Sequence, residues 1–86
     1  MNITENTLIE IEKYLKNNGI YFESVCQYQD TPAIEVAISW GDWKHDHLYL
    51  KYLMNQFGWD QIGEEETETD GSDCYSSNHY FMKKTA

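Results

Sequence analysis

Carboxylate side chains are concentrated in one stretch of this sequence, and carboxylates are suited to binding a cation or a basic surface. Seven of them lie within fourteen residues, with no lysine or arginine between them: Asp60, Glu64, Glu65, Glu66, Glu68, Asp70 and Asp73. Like charges at this density repel one another, so the stretch gains little by folding on itself. We therefore predict that these residues meet a positively charged partner, with solubility as the alternative explanation.

A calcium site is another use that these carboxylates suggest. The segment from Glu66 to Gly71 resembles the start of an EF-hand loop, with side-chain oxygens at alternate positions and glycine at the sixth. The twelfth position, where that loop needs a bidentate glutamate, holds Ser77, and the flanking segments have the pattern of strands. The sequence therefore predicts no dedicated metal site, and it leaves open weak cation binding or a solvated hairpin that protects a sheet edge.

The histidines and cysteines are spaced poorly for metal binding or catalysis. His45 and His47 are two residues apart, so their imidazoles diverge on a helix, whereas helical zinc sites use a spacing of four. Cys74 and His79 are five apart on one predicted strand and so point to opposite faces, which argues against a thiol–imidazole pair. We predict that the protein is not an enzyme and has no cofactor. Cys26 and Cys74 are expected to be buried free thiols, with a disulfide between them as the less favoured alternative.

The overall charge argues against two classes of partner. The net charge is −9, and all six basic residues are lysine. Nucleic acids and anionic membranes select basic patches, so neither is expected to bind this chain directly. The N-terminal residues lack the basic and apolar segments of a secretory signal, and no apolar run approaches the roughly 20 residues of a membrane span. We expect a cytoplasmic protein that binds a basic protein surface.

The hydrophobic pattern predicts one domain, residues 1–86, with six elements in the order α-β-β-α-β-β. Asn2 is suited to cap the first helix, and Gly19 and Gly58 are suited to end the two helices. The last two strands form an acidic hairpin at 59–83. Such an α+β chain is expected to form a four-stranded antiparallel sheet with two helices packed on one face. The predicted helices are 2–18 and 43–57, and the predicted strands are 20–29, 33–40, 59–67 and 74–83.

Two surfaces of this fold are predicted to carry exposed aromatic residues. On the second helix, an apolar stripe from Trp43 through Leu50 to Phe57 is expected to face the core, whereas Tyr49 and Tyr52 share a different face. Exposed tyrosines near carboxylates are typical of interface anchors, so both belong to the predicted partner-binding residues. The sheet face that the helices leave uncovered is expected to show at least one of four residues: Tyr21, Val25, Trp59 or Tyr75.

In size, charge and α+β pattern, the chain resembles the small acidic anti-defence proteins of phages and conjugative elements, the DNA mimics and anti-CRISPR inhibitors. Its segment 70–81, DGSDCYSSNHYF, is similar to the C-terminal segments of small uncharacterised proteins from mobile elements of low-GC Gram-positive bacteria. The resemblance implies an inhibitor that imitates nucleic-acid charge and docks on a nuclease or another nucleic-acid-binding protein. The alternative is a homodimeric accessory or structural domain whose acidic residues serve solubility.

Overall fold

The sheet and helices follow the predicted α-β-β-α-β-β order. The computed structural model describes residues 3–40, 45–68 and 75–84. The four strands form one antiparallel sheet and the two helices pack on one of its faces, so the predicted α+β fold is confirmed. No helix in the described part of the chain is long and apolar enough to cross a membrane. The elements are α1 Glu5–Asn17, β1 Ser24–Gln27, β2 Ile34–Trp40, α2 His45–Gln56, β3 Trp59–Glu68 and β4 Tyr75–Lys83.

The first helix is capped by a different residue from the one that the sequence suggested. Thr4 is the N-cap, and its hydroxyl oxygen accepts a hydrogen bond from the amide of Thr7 at 3.2 Å. The prediction of Asn2 as the cap is therefore wrong, because Thr4 already satisfies a first-turn amide. The predicted stops are confirmed, since Gly19 and Gly58 follow α1 and α2 with φ of 80° and 98°, in the left-handed region that favours glycine.

Two hairpins join side by side to make the sheet. β1 pairs with β2 and β3 pairs with β4, and the hairpins meet where β2 pairs with β4, which gives the order β1-β2-β4-β3. The long acidic strand β3 therefore lies at one edge, and the short strand β1 at the other. β1 is shorter than the predicted strand 20–29, and Ile20, which lies before its first residue, is buried in the core.

A one-residue bulge in β3 changes which side chains face the helices. Trp59 and Gln61 lie opposite Lys83 and Phe81, but the next partnered residue is Gly63, because Ile62 has no partner in the register. The extra residue shifts the alternation by one position, so Glu64 and Glu65 lie on the faces opposite to those that uninterrupted alternation from Trp59 would give. Ile62 itself is 59% exposed.

The hydrophobic core lies between the helices and one face of the sheet. Val25 and Trp59, two of the four candidates for the uncovered face, are buried in this core, so both are wrong as candidates for that face. Val25 lies directly opposite Val36, whose side chain is fully buried, and the pair shares the helix-facing side. The core cluster comprises Ile11, Leu15, Ile20, Val25, Ile34, Val36, Ile38, Leu50, Leu53, Met54, Trp59 and Phe81.

The helices are joined by an aromatic contact outside this core. Phe57, which was predicted to be buried, is 37% exposed and stacks on the ring of Tyr14, with ring centroids 4.3 Å apart. The hydroxyl of Tyr14 donates a hydrogen bond to the carbonyl oxygen of Leu53 at 3.0 Å. Phe57 therefore serves the contact between α1 and α2 instead of filling the interior.

Candidate protein-binding surface

The two acidic residues at the centre of β3 lie on opposite faces of the sheet, and the bulge determines which face each one takes. Glu64 lies opposite His79, on the helix-facing side of the sheet, whereas Glu65 lies opposite Asn78, on the uncovered side. Both glutamates are exposed. Without the bulge Glu65 would share the face of Trp59 and Glu64 would lie on the uncovered side, so the extra residue makes Glu65 the carboxylate of the uncovered face.

The other predicted acidic residues are distributed differently. Asp60 accepts a hydrogen bond from the side-chain amide of Asn55 at 2.9 Å, and Asn55 in turn accepts one from Lys84 at 3.1 Å. Asp60 thus helps to fasten the start of β3 to the end of α2. The backbones of Glu66 and Glu68 pair with those of Ser77 and Tyr75, and two of the predicted residues lie outside the described part of the chain: Asp70 and Asp73.

Four residues form a cluster on the uncovered face of the sheet, which we call the open-face cluster: Tyr28, Glu35, Glu65 and Tyr80. Glu35 lies directly opposite Tyr80 across β2 and β4. On its other side Tyr80 lies opposite Gly63, and its ring passes over that glycine to donate a hydrogen bond from the hydroxyl to Glu65 at 3.2 Å. Tyr28 meets Tyr80 edge to face, with ring centroids 4.6 Å apart.

The electrostatics of this cluster are those of a negative surface. Burial, the nearby charge of Glu35, and the hydrogen bond and charge of Glu65 together raise the pKa of Tyr80 to about 12. Burial and the charge of Glu35 also raise the pKa of the Cys26 thiol. Cys26 is exposed and lies opposite Glu35, so the prediction of a buried thiol is wrong at this position.

Such an arrangement can hold a cation. The two carboxylates lie on β2 and β3, which are separated by β4 and hence by about 10 Å between backbones. The tyrosine rings lie between them and offer aromatic surface to an ammonium or guanidinium group, while the carboxylates accept its hydrogen bonds. The chemistry available is therefore binding of lysine or arginine side chains.

On the other face of β4, three side chains have the order of a hydrolase triad. The hydroxyl oxygen of Ser77 is 2.7 Å from His79 Nε2, and His79 Nδ1 is 3.6 Å from a carboxylate oxygen of Glu64. Ser77 is only 1% exposed and His79 is fully buried, so a substrate has no path to the hydroxyl in this conformation. We assign the pair to the packing of the sheet against α2, where the ring of His47 lies parallel to that of His79 with centroids 6.3 Å apart.

The predicted tyrosines of α2 form a separate surface. Tyr49 and Tyr52 are 43% and 58% exposed, as predicted, but the helix lies on the face of the sheet opposite the open-face cluster. The described residues contain no group of three or more histidine, cysteine, aspartate or glutamate side chains that could hold a metal ion. The predicted surface is therefore divided, and Glu65 is the predicted residue that lies in the open-face cluster.

The sequence reasoning missed three members of the cluster: Tyr28, Glu35 and Tyr80. Two signals for them were present in the pattern. Glu35 lies between the apolar residues Ile34 and Val36 in the alternating pattern of β2, which puts it on the uncovered side. β4 carries aromatic residues on both faces. What the pattern lacks is the pairing of β2 with β4, which brings Glu35 beside Tyr80.

We compared the chain with known proteins and found no relative. The chain matches no protein-family model, no curated protein and no solved structure.

Proposed function

We propose that the protein is a small acidic binding module that docks on a basic surface of a nucleic-acid-handling protein and blocks it. The observation that carries the proposal is the open-face cluster, in which Glu35 and Glu65 flank the aromatic rings on the side of the sheet opposite the two described helices. A net charge of −9 adds a long-range attraction to any basic partner. The role is one of binding and inhibition, without catalysis.

A groove that holds nucleic acid is the kind of surface that fits these features. Such grooves present lysine and arginine side chains to phosphates and aromatic side chains to bases. Carboxylates held at fixed positions on a sheet can take the place of phosphates, and the tyrosine rings can stack on guanidinium groups. Occupying the groove in this way excludes the nucleic acid.

The test is a competition experiment on a partner recovered from the native host. The protein is immobilised, partners are eluted with salt, and each purified partner is titrated with fluorescent DNA in the presence and absence of the protein. We expect the protein to displace the DNA, and its own affinity for the partner to fall steeply as the salt concentration rises.

A pair of matched variants locates the contact. E35Q/E65Q removes two carboxylates of the open-face cluster, and E5Q/E10Q removes two exposed carboxylates from α1, so both variants have the same net charge. We expect the first to weaken binding by about tenfold or more and the second to weaken it much less. Equal affinities for the two variants, or simultaneous binding of DNA and protein, would contradict the proposal. Thermal melts establish that both variants are folded.

The alternative role, a homodimeric accessory domain, meets an electrostatic obstacle at the longer sheet edge. Antiparallel pairing of β3 with β3 of a second copy would bring glutamates against glutamates, and like charges opposite one another destabilise a sheet. Sedimentation at micromolar concentration and low salt distinguishes the two roles, because the binding module is expected to be a monomer.

A further inference from the structure

The outer side of β3 is suited to add another strand. Within residues 3–40, 45–68 and 75–84, β3 pairs with β4 on one side and with no strand on the other. It has ten residues, whereas β1 at the opposite edge has four. A long edge strand presents a row of backbone N–H and C=O groups with which an extended chain can pair.

The charge of this edge selects the strand that can pair with it. Glu64 and Glu65 are both exposed and lie on opposite faces of the sheet, so a neighbouring strand meets a carboxylate on each of its faces. An added strand with lysine or arginine on both faces gains charge pairs, whereas a second copy of β3 meets repulsion. Ile62, which is 59% exposed at the bulge, offers an apolar contact beside these charges.

We propose that the edge of β3 captures an extended basic segment of the partner as a fifth strand of the sheet. The inference rests on the proposed function and adds its mode of binding. Backbone hydrogen bonds supply affinity that does not depend on the partner's exact sequence, and the carboxylates of Glu64 and Glu65 supply the preference for basic side chains. The charges that keep acidic copies apart at this edge thereby recruit a basic strand.

The experiment compares two eight-residue peptides that differ only in their backbones. One alternates lysine and valine, and the other has the same side chains but carries N-methyl groups at alternate residues on the edge that would pair. Methylation keeps the charge and removes the hydrogen-bonding edge. Binding is measured by nuclear magnetic resonance titration of the folded protein, with amide exchange followed along β3.

The unmethylated peptide is expected to bind with shift changes centred on Glu64 and Glu65, and to slow amide exchange along β3. The methylated peptide is expected to bind about tenfold more weakly or worse, because each lost backbone hydrogen bond costs several-fold in affinity. E64Q/E65Q should weaken binding of the first peptide, whereas the α1 variant E5Q/E10Q should weaken it much less.

Three outcomes would overturn the inference. Equal, salt-dependent affinity for both peptides would mean that charge alone holds the partner, which contradicts strand addition and leaves the proposed function standing. Shift changes centred on Tyr80 and Glu35, with none along the outer side of β3, would move the contact to the open-face cluster. If neither peptide binds, the edge is excluded as a docking site, and the DNA competition experiment still decides the proposed function.

Discussion

Replacing Ser77 tests how strongly the fold depends on its buried polar pair. In S77A, His79 Nε2 loses the hydroxyl that lies 2.7 Å away, in a place where both side chains are at most 1% exposed. Losing one partner of a buried hydrogen bond costs about 1–3 kcal/mol. For a domain of this size, each kcal/mol lowers the melting temperature by about 4–8 °C.

A double-mutant cycle separates this pair from its surroundings. H79L removes the imidazole and keeps a side chain of similar size, and S77A/H79L removes both polar groups. Replacing both partners with apolar groups is often nearly neutral, so the double variant is expected to be more stable than the sum of the single losses implies, by about 0.5–3 kcal/mol. Urea unfolding followed by circular dichroism gives each free energy of unfolding.

An exposed serine on β1 provides the control for S77A. S24A removes the hydroxyl of an exposed strand serine, and its free energy of unfolding is expected to lie within about 0.5 kcal/mol of wild type. If S77A is as stable as S24A, or if the two single losses simply add, the hydrogen bond contributes nothing to the fold and our reasoning about the pair is wrong.

Three further predictions concern the helix contact, the open-face cluster and a helix end. Y14F removes the hydrogen bond to Leu53 but keeps the ring stacked on Phe57. Because the amide of Phe57 still donates to the same carbonyl, chemical unfolding should show a decrease of only about 0.5–1 kcal/mol in the free energy of unfolding. A decrease above about 2 kcal/mol would contradict this account. The pKa of about 12 for Tyr80 in the folded protein exceeds the unfolded value of 10, so the contribution of Tyr80 to stability is present below pH 10 and is lost as the pH rises through 12. Absorbance titration should show a lower pKa for Tyr80 in E65Q. An unchanged pKa would mean that Glu65 has no influence on the hydroxyl. G58A should lower the free energy of unfolding by about 1–2 kcal/mol, because Gly58 has a φ of 98°, which strains an alanine even though nothing lies near its methyl group. G63A, whose Cβ would meet Tyr80 at 3.7 Å, should be nearly neutral in thermal melts. Equal losses in the two variants would refute the backbone argument.

Hydrophobic periodicity was sufficient to predict the elements and most of the core. The alternation along β2 put Ile34, Val36 and Ile38 on one face, and all three are buried. Glycine at 19 and 58 marked both helix ends, because a positive φ is costly for other residues. These features depend on short-range properties of the chain, which a sequence displays directly.

The candidate surface depends on two features that short-range patterns do not display. One is the pairing of β2 with β4, which brings Glu35 beside Tyr80 although the two residues are far apart in the sequence. The other is the bulge at Ile62, which moves Glu65 from the helix-facing side to the uncovered side. Counting alternate residues from Trp59 without the bulge gives the wrong face for Glu64 and Glu65.

The position of β4 in the interior of the sheet determines when the molecule can fold. β4 follows the other three described strands in the sequence, yet it lies between β2 and β3 and supplies Phe81, which is fully buried. During synthesis, the hairpin of β1 and β2 can form early, but this four-stranded sheet becomes continuous only after β4 has left the ribosome. Until then, β2 lacks its second neighbour, and the nascent chain exposes apolar surface to chaperones and proteases.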